Sequence, residues 1–337
     1  MLQEFGGSPK SRKQGRRKKP RAWGCRGVLI YLAFIVGIST ILAGLGWMAA
    51  NDVLALNKGD TQSVVVIQDN DRLGQVASTL KKDGIIQYKS LFLFYASIAN
   101  ARAKISPGTY RLDTTMDYRA IVAALGKSSS SRMAVSVTIP EGYTLEQIFH
   151  LLADKGVSAY DALTKQAENY DYDFSFLKDL PLGKETRLEG YLFPDTYEFY
   201  LGEDAKTVLN KMLLNFDQKI TDKMRNQAKS KGYSLHDIVI IASMIERETT
   251  GKDQKAIASV IYNRLNSSAL PYLQIDATVQ YALKERKENL SDKDIKVDSP
   301  YNTYLYKGLP AGPIANPGLS AIEAALNPAK TGYYYYA

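Results

Sequence analysis

LHDIVIIASMIERETT, residues 235–250, is the stretch around which the C-terminal half of the chain is predicted to pack. Its pattern predicts a helix that is apolar on nearly every face, and such a helix is normally buried in the middle of a domain. The helix ends in two acids, Glu246 and Glu248, which lie roughly 200° apart around a helix and therefore face different directions. Ala242 and Ser243, one turn before Glu246, are small and leave room beside it.

Glu246 is the candidate general acid of this helix. A carboxyl group carried from a buried helix into a cleft is desolvated, so its pKa rises and it can hold a proton near neutral pH. We therefore assign the chemistry to Glu246 and a supporting role to Glu248. The alternative interpretation is that both acids are ordinary residues at a helix end.

The excess positive charge lies in one short segment. The chain has 337 residues and a formal net charge of +8, from 43 lysines and arginines and 35 acids. Residues 1–26 contain nine of the basic residues and one of the acids, which leaves 34 of each sign in the remainder. The body of the protein is therefore neutral overall, which argues against nucleic-acid binding, and residues 1–26 are predicted to be a basic tail.

Residues 27–51, GVLIYLAFIVGISTILAGLGWMAAN, carry no charge and are predicted to be a transmembrane helix. Their number suits a single crossing of a bilayer, and a cleaved signal peptide would have a shorter apolar core. Because the basic residues precede this segment, the positive-inside rule places residues 1–26 in the cytoplasm and everything after residue 51 outside it.

The chain contains few of the residues from which metal sites and thiol nucleophiles are built. Cys25 is the only cysteine, so no intrachain disulfide can form, and His150 and His236 are the only histidines. A zinc site or a Cys–His nucleophile in the outer part of the chain would need more of these residues. We therefore expect no metal and no cofactor.

Residues 64–85 and 136–157 form an internal repeat. VVVIQDNDRLGQVASTLKKDGI aligns without gaps with SVTIPEGYTLEQIFHLLADKGV, at an offset of 72 residues. Each copy predicts a short strand, a turn and an amphipathic helix ending in a glycine, Gly84 or Gly156, which suits a helix C-cap. The unit resembles half of a LysM module, a fold that binds glycan chains, so we predict a LysM-like region over residues 62–158. Both glycan binding and a spacer role fit this pattern.

The remaining segments predict an α+β domain that contains a cleft. LEGYLFPDTYEFY (188–200) mixes aromatic rings with carboxyl groups, which suits either sugar binding or the wall of a core. Helices are predicted at 204–217, 218–231 and 254–265, and within 270–283 after an irregular start. Residues 291–317 form a long stretch rich in Pro, Gly, Asn and Tyr, and a long polar loop in a compact domain usually serves a site.

Five motifs, in matching order and spacing, resemble the YceG-like (MltG-type) family of membrane-anchored endolytic murein transglycosylases. The motifs are LEGYLFPDTYEF, IASMIERET, ASVIYNRL, LQIDATVQYAL and SPYNTYLYKGLPAGPIANPGLSAIEAALNPA. The resemblance runs from about residue 64 to the end and implies a bacterial protein, with a LysM-like region followed by an α+β catalytic domain over residues 159–337. The family's catalytic glutamate is the first acid of its ASxxExET pattern, which falls on Glu246.

The resemblance also implies an activity and a set of substrate-binding residues. The bond cleaved would be the β-1,4 linkage between N-acetylmuramic acid and N-acetylglucosamine within a glycan strand, leaving a 1,6-anhydro end, with Glu246 acting first as acid and then as base. The expected partners are peptidoglycan strands and the bacterial inner membrane, and the family adds cell-wall synthases or division proteins. The candidates to orient the glycan are Glu248, Asn263, Arg264, Gln274, Asp276, Tyr301, Asn302, Thr303 and Asn316. Each also has a structural alternative: Arg264 an ion pair at a helix end, Asn302 a turn, and Asp276 the N-cap of the helix that follows it, which is the favoured interpretation of Asp276.

The end of the sequence departs from the family pattern. The family usually continues past the aromatic run with a strand segment and a short His-containing motif, whereas this sequence stops at Tyr336-Ala337. The resemblance therefore predicts that the catalytic domain is truncated at its C-terminus.

Two other functions fit the same residues. A non-catalytic, membrane-tethered peptidoglycan-binding or division scaffold would share the anchor and the repeat. A hydrolytic muramidase would need a second catalytic carboxylate, for which Glu189, Asp195 and Asp276 are the candidates.

Overall fold

The computed structural model describes residues 25–68, 70–126, 130–249 and 251–336. Helix α1, Cys25–Leu54, contains the predicted transmembrane segment, and among the described residues it is the one helix long and apolar enough to cross a membrane. Its side chains from Val28 to Met48 are exposed. Residues 1–24 of the predicted basic tail lie outside the described residues.

The first repeat copy belongs to a small β-α-α-β unit. Its elements are strand β1 (Gln62–Ile67), helices α2 (Leu73–Lys82) and α3 (Lys89–Ile98), strand β2 (Gly108–Asp113) and a closing helix α4 (Tyr118–Ala124). The two strands pair antiparallel, with Val65 opposite Tyr110. Both of these side chains are buried and pack in one core with residues of all three helices, such as Leu80, Phe92 and Ile121.

The second repeat copy has the same element order. Its elements are strand β3 (Ala134–Thr138), helices α5 (Leu145–Asp154) and α6 (Tyr160–Asn169), and strand β4 (Thr196–Tyr200), which pairs antiparallel with β3. The bounds of α2 and α5 differ by 72 residues at both ends, the offset of the sequence repeat. Gly84 and Gly156, just after these helices, have φ angles of 76° and 70°, as a glycine helix terminator requires.

The buried residues form two cores, and the division between them falls earlier in the chain than residue 158, where the sequence predicts the domain boundary. One core runs from Val65 to Leu125 and the other from Val137 to Leu326. The second repeat copy therefore packs with the predicted catalytic domain, because α5 packs on α6, α6 packs on the long helix that follows, and β3 pairs with β4. The change from one core to the other falls between residues 126 and 134.

A short paired segment, residues 131–133, joins the two units. The amide of Arg111 in β2 donates to the carbonyl of Ser131 (2.8 Å), and the amide of Met133 donates to the carbonyl of Thr109 (2.8 Å). The amide of Leu201, just after β4, donates to the carbonyl of Met133 (2.8 Å). Residues 131–133 are therefore hydrogen-bonded both to β2 of the first unit and to the residue that follows β4 in the second.

In the described part of the C-terminal unit, six α-helices follow β4. They are α7 (Ala205–Lys219), α8 (Asp222–Ser230), α9 (Leu235–Glu248), α10 (Gln254–Leu265), α11 (Asp276–Leu283) and α12 (Leu319–Leu326). Helix α9 begins with a capping box between Ser234 and Asp237, and every residue from Ile238 to Glu246 is buried. Helices α8, α10, α11 and α12 all contact α9, which confirms the prediction that this helix is central.

Candidate active site

Glu246 lies at the buried end of α9, against the start of α12. Its side chain is 4% exposed, and Oε2 accepts a hydrogen bond from the amide of Gly318 at 3.0 Å. Burial raises the pKa of Glu246, the bond from Gly318 opposes this shift, and the nearby charge of Glu141 adds to it. These effects together stabilise the neutral form of Glu246 relative to a carboxyl group in water, which is the direction of shift that a general acid requires.

Close contacts between small residues and acids shape the surroundings of Glu246. The Glu141 carboxyl lies where a side chain at residue 318 would be, since a Cβ on Gly318 would come within 1.9 Å of Glu141 Oε1. Gly142 also lies against Glu246, with 3.5 Å between the Glu246 Cγ and the position of a Cβ on Gly142. Because residues 142 and 318 are glycines, the side chains of Glu246 and Glu141 can lie directly against their backbones.

Glu248 faces a second group of side chains, as its position on the helix predicts. The hydroxyl of Tyr336 and the amide of Ala277 donate to its carboxylate. Burial is the main cause that raises the pKa of Glu248, and the charge of Asp276 adds to it. Asp276 itself accepts a hydrogen bond from the hydroxyl of Tyr304 (2.5 Å), and it is the first residue of α11 rather than its N-cap.

A third group of side chains is centred on Glu189. This carboxylate is 2% exposed and accepts hydrogen bonds from the Leu145 amide (3.0 Å), the Tyr281 hydroxyl (3.0 Å) and the Asn316 side chain (2.9 Å). Despite these donors, burial raises the pKa of Glu189 to about 7. The predicted binding residue Asn316 therefore contributes to the site by fixing a buried acid.

A cavity of about 640 Å³ lies on the Glu189 side of the helix end. Its lining includes Glu189, Arg247, Tyr281, Tyr301 and the first turn of α5. Glu246 does not line this cavity, but the next residue, Arg247, does. Arg247 donates to the carbonyl of Gly142 at 3.1 Å and interacts with the charges of both Glu189 and Glu248, so it connects the three groups of side chains.

Several predicted binding residues instead hold backbone segments. Asn263 donates to the carbonyls of Thr331 (3.0 Å) and Tyr333 (2.8 Å), and Asn302 donates to those of Ile295 (2.9 Å) and Val297 (2.8 Å). Both side chains thus satisfy backbone carbonyls, which is a common role of amide side chains in folded proteins. The loop that spans residues 291–317 owes its shape partly to Asn302.

Hydrogen bonds link Arg264, Gln274 and Thr303 beside the start of α11. Arg264 is 5% exposed and donates to the carbonyls of Leu273 (2.8 Å) and Tyr334 (2.7 Å), and to the Gln274 side chain (3.1 Å). The hydroxyl of Thr303 accepts from the amide of Ile275 at 3.0 Å. Tyr301, in contrast, is half-buried and lines the cavity, with its ring 4.9 Å from that of Tyr281.

Sequence reasoning missed three residues of this site. Glu141 was not singled out, although its charge acts on Glu246; Arg247 and Tyr281 were likewise not assigned to the cavity. The pKa of Glu246 is not shifted by any of the three candidates for a second carboxylate, which are Glu189, Asp195 and Asp276. Within the described ranges, no group of three or more His, Cys, Asp or Glu side chains is placed to hold a metal ion.

The C-terminal unit thus combines α-helices with a strand pair, and it carries a buried carboxyl group, Glu246, next in sequence to a residue that lines a cavity, Arg247. The chain belongs to the YceG-like family, whose model matches residues 65–337. A solved structure of a yceG-like protein from Listeria monocytogenes is similar, with a TM-score of 0.52 and 34% identity, covering 82% of this chain and 93% of that one.

Two curated relatives are named endolytic murein transglycosylase. The protein from Bacillus subtilis (strain 168) is 33% identical over 308 residues, which cover 88% of this chain and 84% of that protein. The protein from Streptococcus pneumoniae serotype 2 (strain D39) is 30% identical over 334 residues, which cover 90% of this chain and 60% of that protein. The chain thus matches most of the first relative and less than two thirds of the second.

The raised pKa of Glu189 predicts a pH-dependent stability. Because burial raises this pKa from 4.5 to about 7, the folded state holds the proton more tightly than the unfolded state. The stabilisation of the folded state by protonated Glu189 is therefore complete below about pH 4.5 and is lost as the pH rises through about 7. The corresponding change in the free energy of unfolding is about 3 kcal/mol. Relative to Glu189→Gln, the free energy of unfolding of the wild type should fall by about this amount between those pH values.

Urea unfolding at a series of pH values measures this difference. Glu185→Gln is the matched control, because Glu185 also lines the cavity but is exposed to solvent. The control should keep the pH profile of the wild type. Parallel profiles for Glu189→Gln and the wild type would show that Glu189 is ionised to the same extent in the folded and unfolded states.

Proposed function

We propose that the protein is a membrane-anchored endolytic lytic transglycosylase that cleaves peptidoglycan glycan strands. The observation that carries the proposal is the buried carboxyl group of Glu246, with its raised pKa, at the end of the central helix. It stands in a chain that belongs to the YceG-like family and is similar to proteins named endolytic murein transglycosylases.

In the first step, protonated Glu246 donates its proton to the glycosidic oxygen between N-acetylmuramic acid and N-acetylglucosamine. The bond from C1 to that oxygen breaks, and positive charge develops on the muramoyl ring. In the second step, the 6-hydroxyl oxygen of the same sugar attacks C1 while the Glu246 carboxylate takes up the hydroxyl proton. The nucleophile is already tethered, so the second step gains from a high effective concentration and consumes no water.

The cavity beside Arg247 is proposed to hold sugars on one side of the cleaved bond. Tyr281 and Tyr301 supply aromatic surface, and Arg247 supplies a donor near the carboxyl groups of the site. On this proposal Glu189 and Asn316 keep the α5 end of the cavity in place, because they bond to each other and to its first turn. Glu248 and Asp276 are proposed to shape the opposite side of the cleft.

The β-α-α-β units are proposed to act as LysM-like modules that hold the glycan near the cleft. Their support is the order of elements in both copies, with two helices between antiparallel strands. Helix α1 is proposed to span the bacterial inner membrane once, with its N-terminus in the cytoplasm and the catalytic unit outside, since basic residues precede it. Cell-wall synthases or division proteins are proposed as partners on the family resemblance alone.

The Glu141 carboxyl favours one second candidate function. Glycosidases that use water employ two carboxyl groups, and the charge of Glu141 acts directly on Glu246. A hydrolytic muramidase with Glu246 as acid and Glu141 as base therefore has a structural basis that Glu189, Asp195 and Asp276 do not provide.

Product analysis tests the proposed function. Purified full-length protein in detergent would be incubated with long, peptide-free glycan strands, and the products would be resolved by length and identified by mass spectrometry. We expect fragments of intermediate length early in the reaction, with anhydro-muramoyl ends. Release of only short terminal fragments would contradict internal cleavage, and the absence of products from folded protein would favour the scaffold.

A further inference from the structure

The outer face of helix α3 carries large apolar side chains. Phe94 is 69% exposed and Ile98 is 72% exposed, and since they lie one turn apart they share one side of the helix. Phe92 and Ala96, on the opposite side, are buried in the first core. The helix is thus apolar both toward the core and toward solvent, and an exposed apolar cluster of this kind marks a contact surface.

The end of α1 is fixed to the beginning of α3. The fully buried Asp52, near the end of α1, accepts hydrogen bonds from the amides of Gln87 (2.9 Å) and Tyr88 (2.8 Å). Lys58 pairs with the same carboxylate at 2.8 Å, and the hydroxyl of Tyr118 donates to it. Because Tyr88 is the residue just before α3, the apolar helix and α3 meet at a rigid joint rather than through a flexible linker.

This joint keeps the apolar face close to the end of the proposed membrane span. At 1.5 Å per residue, Phe94 lies about 9 Å and Ile98 about 15 Å along the helix from Tyr88. The headgroup region of one leaflet is about 6 Å deep, so the two side chains lie about one and a half and about two and a half such depths along the helix from the joint. Leu54 and Leu56, which follow the joint, are also more than half exposed, at 55% and 54%.

Basic side chains lie at the far end of the same helix. Arg102 and Lys104 follow α3 within six residues and are both exposed. Cationic side chains next to an apolar face favour a surface of anionic lipids, which offers an acyl boundary and negative headgroups together. A purely apolar protein surface would not use these charges.

We propose that the outer face of α3 rests on the membrane, with Phe94 and Ile98 at the boundary between headgroups and acyl chains and with Arg102 and Lys104 among anionic headgroups. This contact rests on the membrane anchoring proposed above and adds a second point of attachment. It fixes the orientation of the first unit, and the paired residues 131–133 transmit that orientation to the unit that contains the cleft.

Single-cysteine labelling of the full-length chain tests the contact. Phe94→Cys and Ile98→Cys, each combined with Cys25→Ser, would be labelled with an environment-sensitive fluorophore and reconstituted in vesicles of phosphatidylethanolamine and phosphatidylglycerol. Leu42→Cys reports insertion of α1. Leu214→Cys is the matched surface control, because Leu214 is 44% exposed but lies on α7 of the other unit.

We expect lipids that carry a quencher near the headgroup to quench the labels at residues 94 and 98 at least about twofold more than the label at residue 214. Equal quenching at 94, 98 and 214, with the label at 42 protected from aqueous quenchers, would overturn the contact but leave the anchor. An exposed label at 42 would instead overturn the anchoring. Quenching that disappears when the ratio of protein to lipid is lowered would indicate that the signal depends on a second copy of the chain. That result would also overturn the proposed contact between α3 and the membrane.

Folding of each labelled protein would be checked by circular dichroism. Should a label at residue 94 or 98 disturb the fold, Ser97→Cys replaces it, since Ser97 is exposed on the same side of α3 and makes a smaller change. The same quenching criterion then applies to residue 97. Lowering the phosphatidylglycerol content should weaken the quenching, and insensitivity to it would contradict the role given to Arg102 and Lys104.

Discussion

Replacing Glu246 by glutamine should lower the rate of glycan cleavage by about 10³-fold or more while the fold is retained. Glutamine keeps the length of the side chain and an oxygen that can accept the hydrogen bond from Gly318. It has no proton to give to the leaving oxygen and no carboxylate to take up the proton of the 6-hydroxyl. Because burial already disfavours the charged form of Glu246, the neutral amide should cost little stability.

Glu248→Gln is the matched control for this variant. It makes the same chemical change at the same helix end, but Glu248 faces Ala277 and Tyr336 rather than Gly318. We expect it to lower the rate far less, by about tenfold at most. Initial rates on glycan strands, with unfolding curves recorded in parallel, measure both effects. A Glu246→Gln protein that keeps more than about a tenth of the wild-type rate would remove Glu246 from the mechanism.

Replacing Gly190 by alanine should destabilise the catalytic unit by about 3–5 kcal/mol. Gly190 has a φ of +88°, which is unfavourable for any residue with a Cβ. A Cβ there would also come within 2.7 Å of Pro313 and of Val239 Cγ1, which belong to the long loop and to α9. The loop and the central helix therefore have to separate, or the turn has to distort, before alanine fits.

Gly183→Ala separates the two causes. Gly183 has a similar φ of +82°, but a Cβ there would meet nothing within 4 Å. It should cost only about 1–2 kcal/mol, which is the strain of the backbone alone. Urea unfolding followed by circular dichroism measures both variants. Equal losses would mean that close packing of Gly190 against the loop contributes nothing to stability.

The central helix and its acid could be predicted from sequence because both follow from local rules. An all-round apolar pattern requires burial, and the spacing of Glu246 and Glu248 requires different directions. The structure has both features, with Ile238 to Glu246 buried and the two carboxyl groups against different elements. The repeat was likewise visible because its strand, turn and helix are contiguous in the chain.

The partners of these local elements could not be predicted, because they come from distant parts of the chain. Strand β4 pairs with β3 from about sixty residues away, so these two strands lie on either side of the boundary that the sequence predicts at residue 158. Glu141 and Gly318 meet at Glu246 from opposite ends of the catalytic unit. No pattern of spacing in a single sequence indicates such a contact.

Polar residues in the long loop posed a different difficulty. Asn302, Thr303 and Asn316 suit sugar binding by their chemistry, but loop backbones also need partners for their amides and carbonyls. In the structure Asn302 holds two loop carbonyls and Thr303 accepts the amide of Ile275. Sequence reasoning could identify the polar loop but not which of its side chains were already engaged within the protein.

Cleavage in water enriched in oxygen-18 tests the role of the single acid most directly. If the 6-hydroxyl of the muramoyl sugar closes on C1, the new ends carry no oxygen from water, and mass spectrometry should show unlabelled anhydro products. New reducing ends that contain oxygen-18, in excess of the label that substrate ends take up by exchange without enzyme, would show that water attacks C1. Loss of that labelled product in Glu141→Gln would then identify Glu141 as the base of a hydrolase and would contradict the proposed transglycosylase.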